Sequence, residues 1–270
     1  MTRGVLIVAH DTDIIDYSTL SVISARLAAK NLGVPVSLIT DSDTLENLKK
    51  SFIPETEFDQ IILVTKPEKG NIRKINNQVS DTFLNTNRHT VWNLTPYDST
   101  LLIDSDLLIF SSKFNNYWDT EASVLICDSM LELTANRLTP TEKRISNISP
   151  KLKWATAVMF KKNKESETFF NLIGHIKENY TYYADVYDFV PFQYRNDISF
   201  TIAKHIMNSF TETTDTLPPL LFTLQDEHII SINGSTIKVL LKDSSILTIE
   251  DSDIHVMNKE DIIKFKEHLL

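Results

Sequence analysis

The sequence predicts an α/β protein with a Rossmann-type sheet, mixed but mostly parallel, flanked by helices. Three observations carry this. The consecutive apolar residues at 5–9, the mostly apolar stretch Val36–Thr40 and the apolar run 101–103 suit strands buried on both faces. Between the first two lies 18–31, with Leu20, Ile23, Leu27 and Ala28 at helical spacing. The two patterns alternate through the first half, which implies right-handed β-α-β crossovers.

The elements follow in order. The strand 5–9 is closed by His10 and Asp11, and Gly33 ends the helix 18–31. After Val36–Thr40, Asp41-Ser42-Asp43-Thr44 opens a short helix over 43–50. A strand over 60–65, a third helix over about 71–86 and a short strand at 90–94 lead to the run 101–103. In the second half, 123–127 and 155–160 read as strands, with the polar, proline-containing stretch 138–153 between them as an exposed loop or lid. Helices are expected over 166–179 and 198–207, strands at 229–232, 236–241 and 246–249, and a terminal helix over 259–269.

Composition narrows the classes. At 270 residues the chain suits one large α/β unit or two closely joined halves. A net charge of −9 argues against a broad electrostatic grip on nucleic acid or anionic membrane. Cys127 is the only cysteine, which excludes an internal disulfide and a thiolate metal cluster. No apolar run reaches the length of a membrane span, and the first strand is too short for a signal peptide, so a cytoplasmic protein is expected. Five glycines form no Gly-x-Gly-x-x-Gly pattern. A nucleotide would have to be held by a metal and side chains.

The chemistry centres on residues 97–110, Tyr-Asp-Ser-Thr-Leu-Leu-Ile-Asp-Ser-Asp-Leu-Leu-Ile-Phe. The apolar strand stops at Asp104 and Asp106, and the chain then returns to apolar residues. Two neighbouring carboxylates repel, and burial raises the cost, so a positive partner is required. A divalent cation, Mg²⁺ or Mn²⁺, suits oxygen ligands converging from a strand end. The plainer reading is a solvated turn between two strands.

Taken with other pieces in order, this stretch resembles nucleotide-sugar-dependent glycosyltransferases of the GT-A fold, nearest to the retaining, glycogenin-like and galactosyltransferase-like group. Those pieces are Ala9-His10-Asp11, Trp154-Ala155-Thr156-Ala157-Val158-Met159-Phe160, Arg195-Asn196-Asp197 and His255-Val256-Met257-Asn258-Lys259, which is similar to that family's His-x-x-x-Lys element. The resemblance runs along most of the chain. It implies one GT-A-like domain over 1–270, with a nucleotide-binding half at 1–110 and an acceptor half at 111–270. It further implies a nucleotide-sugar donor, a UDP-sugar first, and Mn²⁺ or Mg²⁺ held by Asp104, Asp106 and His255. Trp154–Ala157 departs from the pattern, since that group carries a glycine there, and this implies a blocked or reshaped donor pocket.

Single residues extend the expectation. A neutral imidazole at His255 favours Mn²⁺ over Mg²⁺, against the alternative of a surface histidine. Lys259 would meet a diphosphate, and Arg73 and Lys74 a diphosphate or the sugar, against the alternative of solvated basic side chains. Ala9, His10 and Asp11 fall where the family contacts the base, against the alternative of a plain turn. Asp41 either holds a uracil or ribose hydroxyl or caps the following helix. Asp197 is the residue expected beside the transferred sugar or acceptor. The polar string Asp251, Ser252, Asp253, His255 and Lys259 reads as a segment with few apolar anchors that orders over the donor. The aromatic stretch 180–194 offers an acceptor platform or plain core. Acceptors in view are a glycan, a protein or a small molecule, with a modified DNA base disfavoured by charge. Two other readings stand beside this one: a haloacid-dehalogenase-like phosphohydrolase, and a nucleotide-sugar-binding protein without turnover.

Overall fold

Strands buried on both faces need helices on both sides, and the chain supplies them. In the computed structural model, which describes residues 1–68, 70–74, 80–133, 139–141 and 143–270, seven strands form the main sheet. Their spatial order is Gln60–Leu63, Val36–Thr40, Arg3–Val8, Ser99–Ile103, Trp154–Lys161, Val124–Cys127, Thr216–Leu217. All neighbours are parallel except Trp154–Lys161, which runs antiparallel to the strands on either side. This is the α/β, mixed and largely parallel architecture that the sequence predicts.

Alternation along the strands divides two cores. Val5, Ile7, Leu101 and Ile103 face the helix Tyr17–Leu32 through Val22, Ala25 and Ala28. Leu6, Val8 and Leu102 face the helices Lys164–Glu178 and Asn196–Met207 through Phe169, Phe170, Ile173 and Phe200. Asp16 caps the first helix by accepting from Thr19 N at 2.8 Å, and the helix ends at Gly33 with φ +67°.

A second sheet matters more for the site. Its strands, in order, are Thr139–Thr141, Met130–Glu132, Leu220–Phe222, Ile254–His255 and Leu107–Leu108. Ile254–His255 pairs antiparallel with Leu107–Leu108, with His255 opposite Leu107. An antiparallel three-stranded sheet, His228–Asn233, Thr236–Leu240 and Ile246–Glu250, packs its apolar side near Leu20, Ile23 and Leu27.

Several expectations are corrected. The helix expected over 71–86 is a strand pair: Asn71–Lys74 runs antiparallel to Ser80–Phe83, and 75–79 lie outside the described residues. Residues 90–94 form no strand but continue a 3₁₀ turn, Arg88–Thr90, into the helix Val91–Leu94. Apolar residues three apart, Val91 and Leu94, fit one helical face as well as a short strand. Part of the loop expected at 138–153 pairs as Thr139–Thr141, while 138 and 142 lie outside the described residues. The terminal helix is two short ones, Lys259–Lys264 and Lys266–Leu269, broken at Phe265.

Gly4 shows how tightly the first strand is covered. A Cβ there would lie 2.3 Å from two ring carbons of Tyr97, whose hydroxyl is fixed 2.6 Å from Ser37 Oγ. The ring is itself buried, so a shift disturbs its neighbours. Gly4→Ala should therefore destabilise the protein by about 1–3 kcal/mol, as over-packing does, lowering the melting temperature by roughly 2–12 °C. Differential scanning calorimetry checks this, and an unchanged melting temperature would show that the ring can swing away.

Candidate functional site

The site begins where the central strand, Ser99–Ile103, ends. Leu107 N donates to Asp104 O at 3.1 Å, and Asp104 N donates to Thr156 O at 3.0 Å. This turn aims both carboxylates into a cleft of about 500 Å³ at the carboxyl end of the sheet. His255 arrives from the second sheet, locked in register beside Leu107. Its Nε2 lies 3.1 Å from Asp106 Oδ1 and 4.0 Å from Asp104 Oδ2. One ligand atom from each of the three residues falls within 4.8 Å of the others, so the cluster can coordinate a divalent metal.

The donor set fits such an ion. Two carboxylates and one imidazole supply oxygen with a single borderline nitrogen. Asp104 keeps 23% of its side chain exposed toward the cleft, while Asp106 and His255 are nearly buried. An ion here would have protein on one side and open cleft on the other.

The positive partner required by the two neighbouring carboxylates is partly protein. Lys259 Nζ lies 2.6 Å from Asp106 Oδ2, and an Arg88 guanidinium nitrogen donates to Asp104 Oδ1. Burial alone would raise the Asp106 carboxyl, but Lys259 and His255, by charge and hydrogen bonding, outweigh it and hold it far below the usual carboxylate range. Burial likewise works to lower Lys259, and the Asp106 charge reverses that into a rise. Arg88 also donates to the carbonyl of Ala155, tying the carboxylate turn to the neighbouring antiparallel strand.

The structure sorts the remaining sequence candidates. His10 lines the cleft, with Nδ1 2.7 Å from Asp41 Oδ2. Asp41 does not line it. It caps the helix Ser42–Lys49 by accepting from Asp43 N and Thr44 N, both at 3.0 Å, so capping is the alternative realised. Burial opposes ionisation of Asp41, yet the hydrogen bonds from Thr44 and His10 prevail and lower its pKa. Asp11 is buried behind the cleft, accepting from Ser18 N and Asn47 Nδ2, and burial raises its pKa. Ala9 gives its N–H to Ile39 O and accepts from Thr40 Oγ1. Arg73 and Lys74 stand on a strand instead of a helix, and their side chains lie outside the described residues.

Asp197 lines the cleft from the first turn of Asn196–Met207, held by Arg195 with Nε 3.0 Å from Oδ1. Trp154, Ala155 and Thr156 also line the cleft, which stays open beside the indole. No aromatic ring of the stretch 180–194 lines it; Tyr180 packs edge-on against Phe189 and Tyr194 at 5.4 and 5.2 Å. The segment 251–259 is not short of anchors. Ile254 and Val256 are fully buried, and Asp253 accepts from Phe110 N and Ser111 N, both at 2.9 Å.

Sequence reasoning missed Arg88, along with Asn85 and Gln193 in the cleft wall. The one available signal was the demand for positive charge near Asp104 and Asp106, and it was assigned to a metal alone.

No family model matches the sequence, and no curated protein does either. Several solved structures resemble it remotely. The apo glycosyltransferase GlyE of Streptococcus pneumoniae TIGR4 aligns with a TM-score of 0.42 and 12% identity, over 76% of this chain and 43% of that one. The galactosyltransferase LgtC, in complex with donor and acceptor sugar analogs, gives 0.44 and 13%, over 74% and 70%. A putative glucose-1-phosphate thymidylyltransferase of Bacillus anthracis in complex with a sucrose gives 0.45 and 10%, over 83% and 87%. The chain thus spans less than half the length of GlyE. Likenesses this distant leave the question of activity to the cleft and its residues.

Proposed function

We propose that this chain is a metal-dependent glycosyltransferase that moves a sugar from a UDP-sugar to a hydroxyl acceptor with retention of configuration. One observation carries the reading: Asp104, Asp106 and His255, the last brought in by a separate strand, converge with Lys259 at the carboxyl end of the sheet. A metal and a lysine side by side match the charge of a diphosphate. The ordered set of motifs in the sequence agrees with it.

Asp104, Asp106 and His255 would hold a divalent ion, Mn²⁺ before Mg²⁺, and its positive charge would favour departure of a diphosphate. The chain's own residues do the rest. Lys259, paired with Asp106 at the edge of the cluster, is placed to meet a phosphate oxygen of the donor. Arg88 keeps Asp104 in place, and His10, oriented by Asp41, faces the nucleoside. Asp197, clamped by Arg195, orients the sugar or the acceptor hydroxyl. The bond from the anomeric carbon to the β-phosphate oxygen breaks as the acceptor oxygen takes that carbon, and the hydroxyl proton leaves on the diphosphate. A glycan, a protein or a small molecule serves as acceptor; the net charge of −9 disfavours a modified DNA base.

A screen of nucleotide sugars with Mn²⁺, reading released nucleoside diphosphate, tests this. UDP release from at least one UDP-sugar, stopped by EDTA, is the expected result. Turnover of a simple phosphate ester with no action on any nucleotide sugar would mark a phosphohydrolase instead. Tight UDP-sugar binding with no release would mark a binding protein.

A further inference from the structure

A second cavity of about 260 Å³ opens beside Lys259 and shares Tyr17, Phe83, Met257 and Lys259 with the main cleft. Its remaining apolar wall is Ile14, Ile15 and Ile263. Two aromatic rings, a thioether and three isoleucines make a surface suited to a flat apolar group, because rings stack and sulfur adapts. The volume exceeds the roughly 150 Å³ that accommodates benzene in an engineered apolar cavity.

Charge narrows the occupant further. Asp16, Asp81 and Glu260 stand in the same wall, and among its described residues the one cation, Lys259, is already answered by Asp106. The balance is acidic, so a carboxylate or phosphate entering here would be repelled while a neutral ring would not. Asp81 is itself held in place, accepting from Thr12 Oγ1 at 2.6 Å.

We propose that this pocket takes an uncharged aromatic group of the acceptor, whose hydroxyl then projects into the main cleft. The assignment rests on the glycosyltransferase reading for the word acceptor, but the pocket can be tested without turnover. Continuity between the two cavities supplies the path, and the shared residues place the ring next to the proposed diphosphate site rather than on a remote surface.

The experiment compares three probes by calorimetry in the presence of Mn²⁺ and UDP: methyl, phenyl and 4-carboxyphenyl β-D-glucopyranoside. Phenyl should bind about tenfold or more tightly than methyl, the gain from burying one ring, and the carboxylate should abolish that gain. Ile14→Glu and Ile14→Ala change an exposed side chain that lines the second cavity and not the main cleft, and should leave the fold intact. Both should erode the phenyl advantage while UDP affinity stays within about twofold. Equal binding of phenyl and methyl, or an advantage untouched by both variants, overturns the proposal. Loss of UDP binding in step with loss of phenyl binding also overturns it, because the pocket would then hold the nucleobase. Failure of the glycosyltransferase reading has a separate signature: no UDP binding by the unaltered protein, whatever the phenyl probe does.

Discussion

Asp106→Asn is expected to lower Mn²⁺ affinity by about 100-fold or more and, by a separate route, to destabilise the fold. The first effect follows from removing a charged member of a three-residue donor set. The second follows from Lys259, mostly buried and 2.6 Å from Asp106, which would lose its counter-charge. Breaking one partner of a buried ion pair costs about 3–5 kcal/mol, a drop of roughly 6–20 °C in melting temperature. Relaxation of Lys259 toward Asp104 would bring the loss to the lower end. The double variant Asp106→Asn with Lys259→Met separates the two effects. It should recover most of the stability, since no charge is left unpaired, and none of the metal affinity. Calorimetric titration with Mn²⁺ and thermal melting of the same samples read both. Unchanged metal binding in Asp106→Asn would remove the carboxylate pair as the metal site. Unchanged melting would show that Lys259 finds solvent without penalty.

Asp197→Ala is expected to cut sugar transfer by roughly 10²–10³-fold, the scale of losing one transition-state contact, with Mn²⁺ and UDP affinity near that of the parent. The carboxylate lies in the cleft wall but makes no contact with Asp104, Asp106 or His255; its partners are Arg195 and the backbone of Ile198. Its stabilising role is modest. A negative charge in the first turn of Asn196–Met207 interacts with the helix dipole for about 0.3–1 kcal/mol. Stability should therefore change little, and a large kinetic effect would be chemical. Single-turnover kinetics against direct UDP titration gives the split. If binding and transfer fall in proportion, Asp197 supports the donor site and not the reacting centre.

Much of the fold was legible because its signals are local. The apolar runs at 5–9 and 101–103, the mostly apolar stretch 36–40, the helical spacing of Leu20, Ile23 and Leu27, and Gly33 after them each report on neighbours a few residues away. Errors gathered where local pattern is weak. The strands Asn71–Lys74 and Ser80–Phe83 are polar and mixed, and they hold their place through partners far along the chain: Asn71 donates to Tyr194 O, and Asp81 accepts from Thr12. Nothing within 71–86 announces those contacts.

The sequence by itself determined the α/β class, the main strands and the position of two carboxylates at the end of the central one. Those depend on hydrophobic period and on the chemistry of residues two apart. Tertiary structure alone decided that Trp154–Lys161 enters the sheet reversed, that Asp41 faces His10 and its own helix instead of the cleft, and that Arg88 and Lys259 answer Asp104 and Asp106. It also decided the register that sets His255 beside Asp106, across 149 positions of chain. Strand register and charge pairing are settled by whichever surfaces meet when the sheets assemble, and that meeting leaves no periodic trace in the residues that take part.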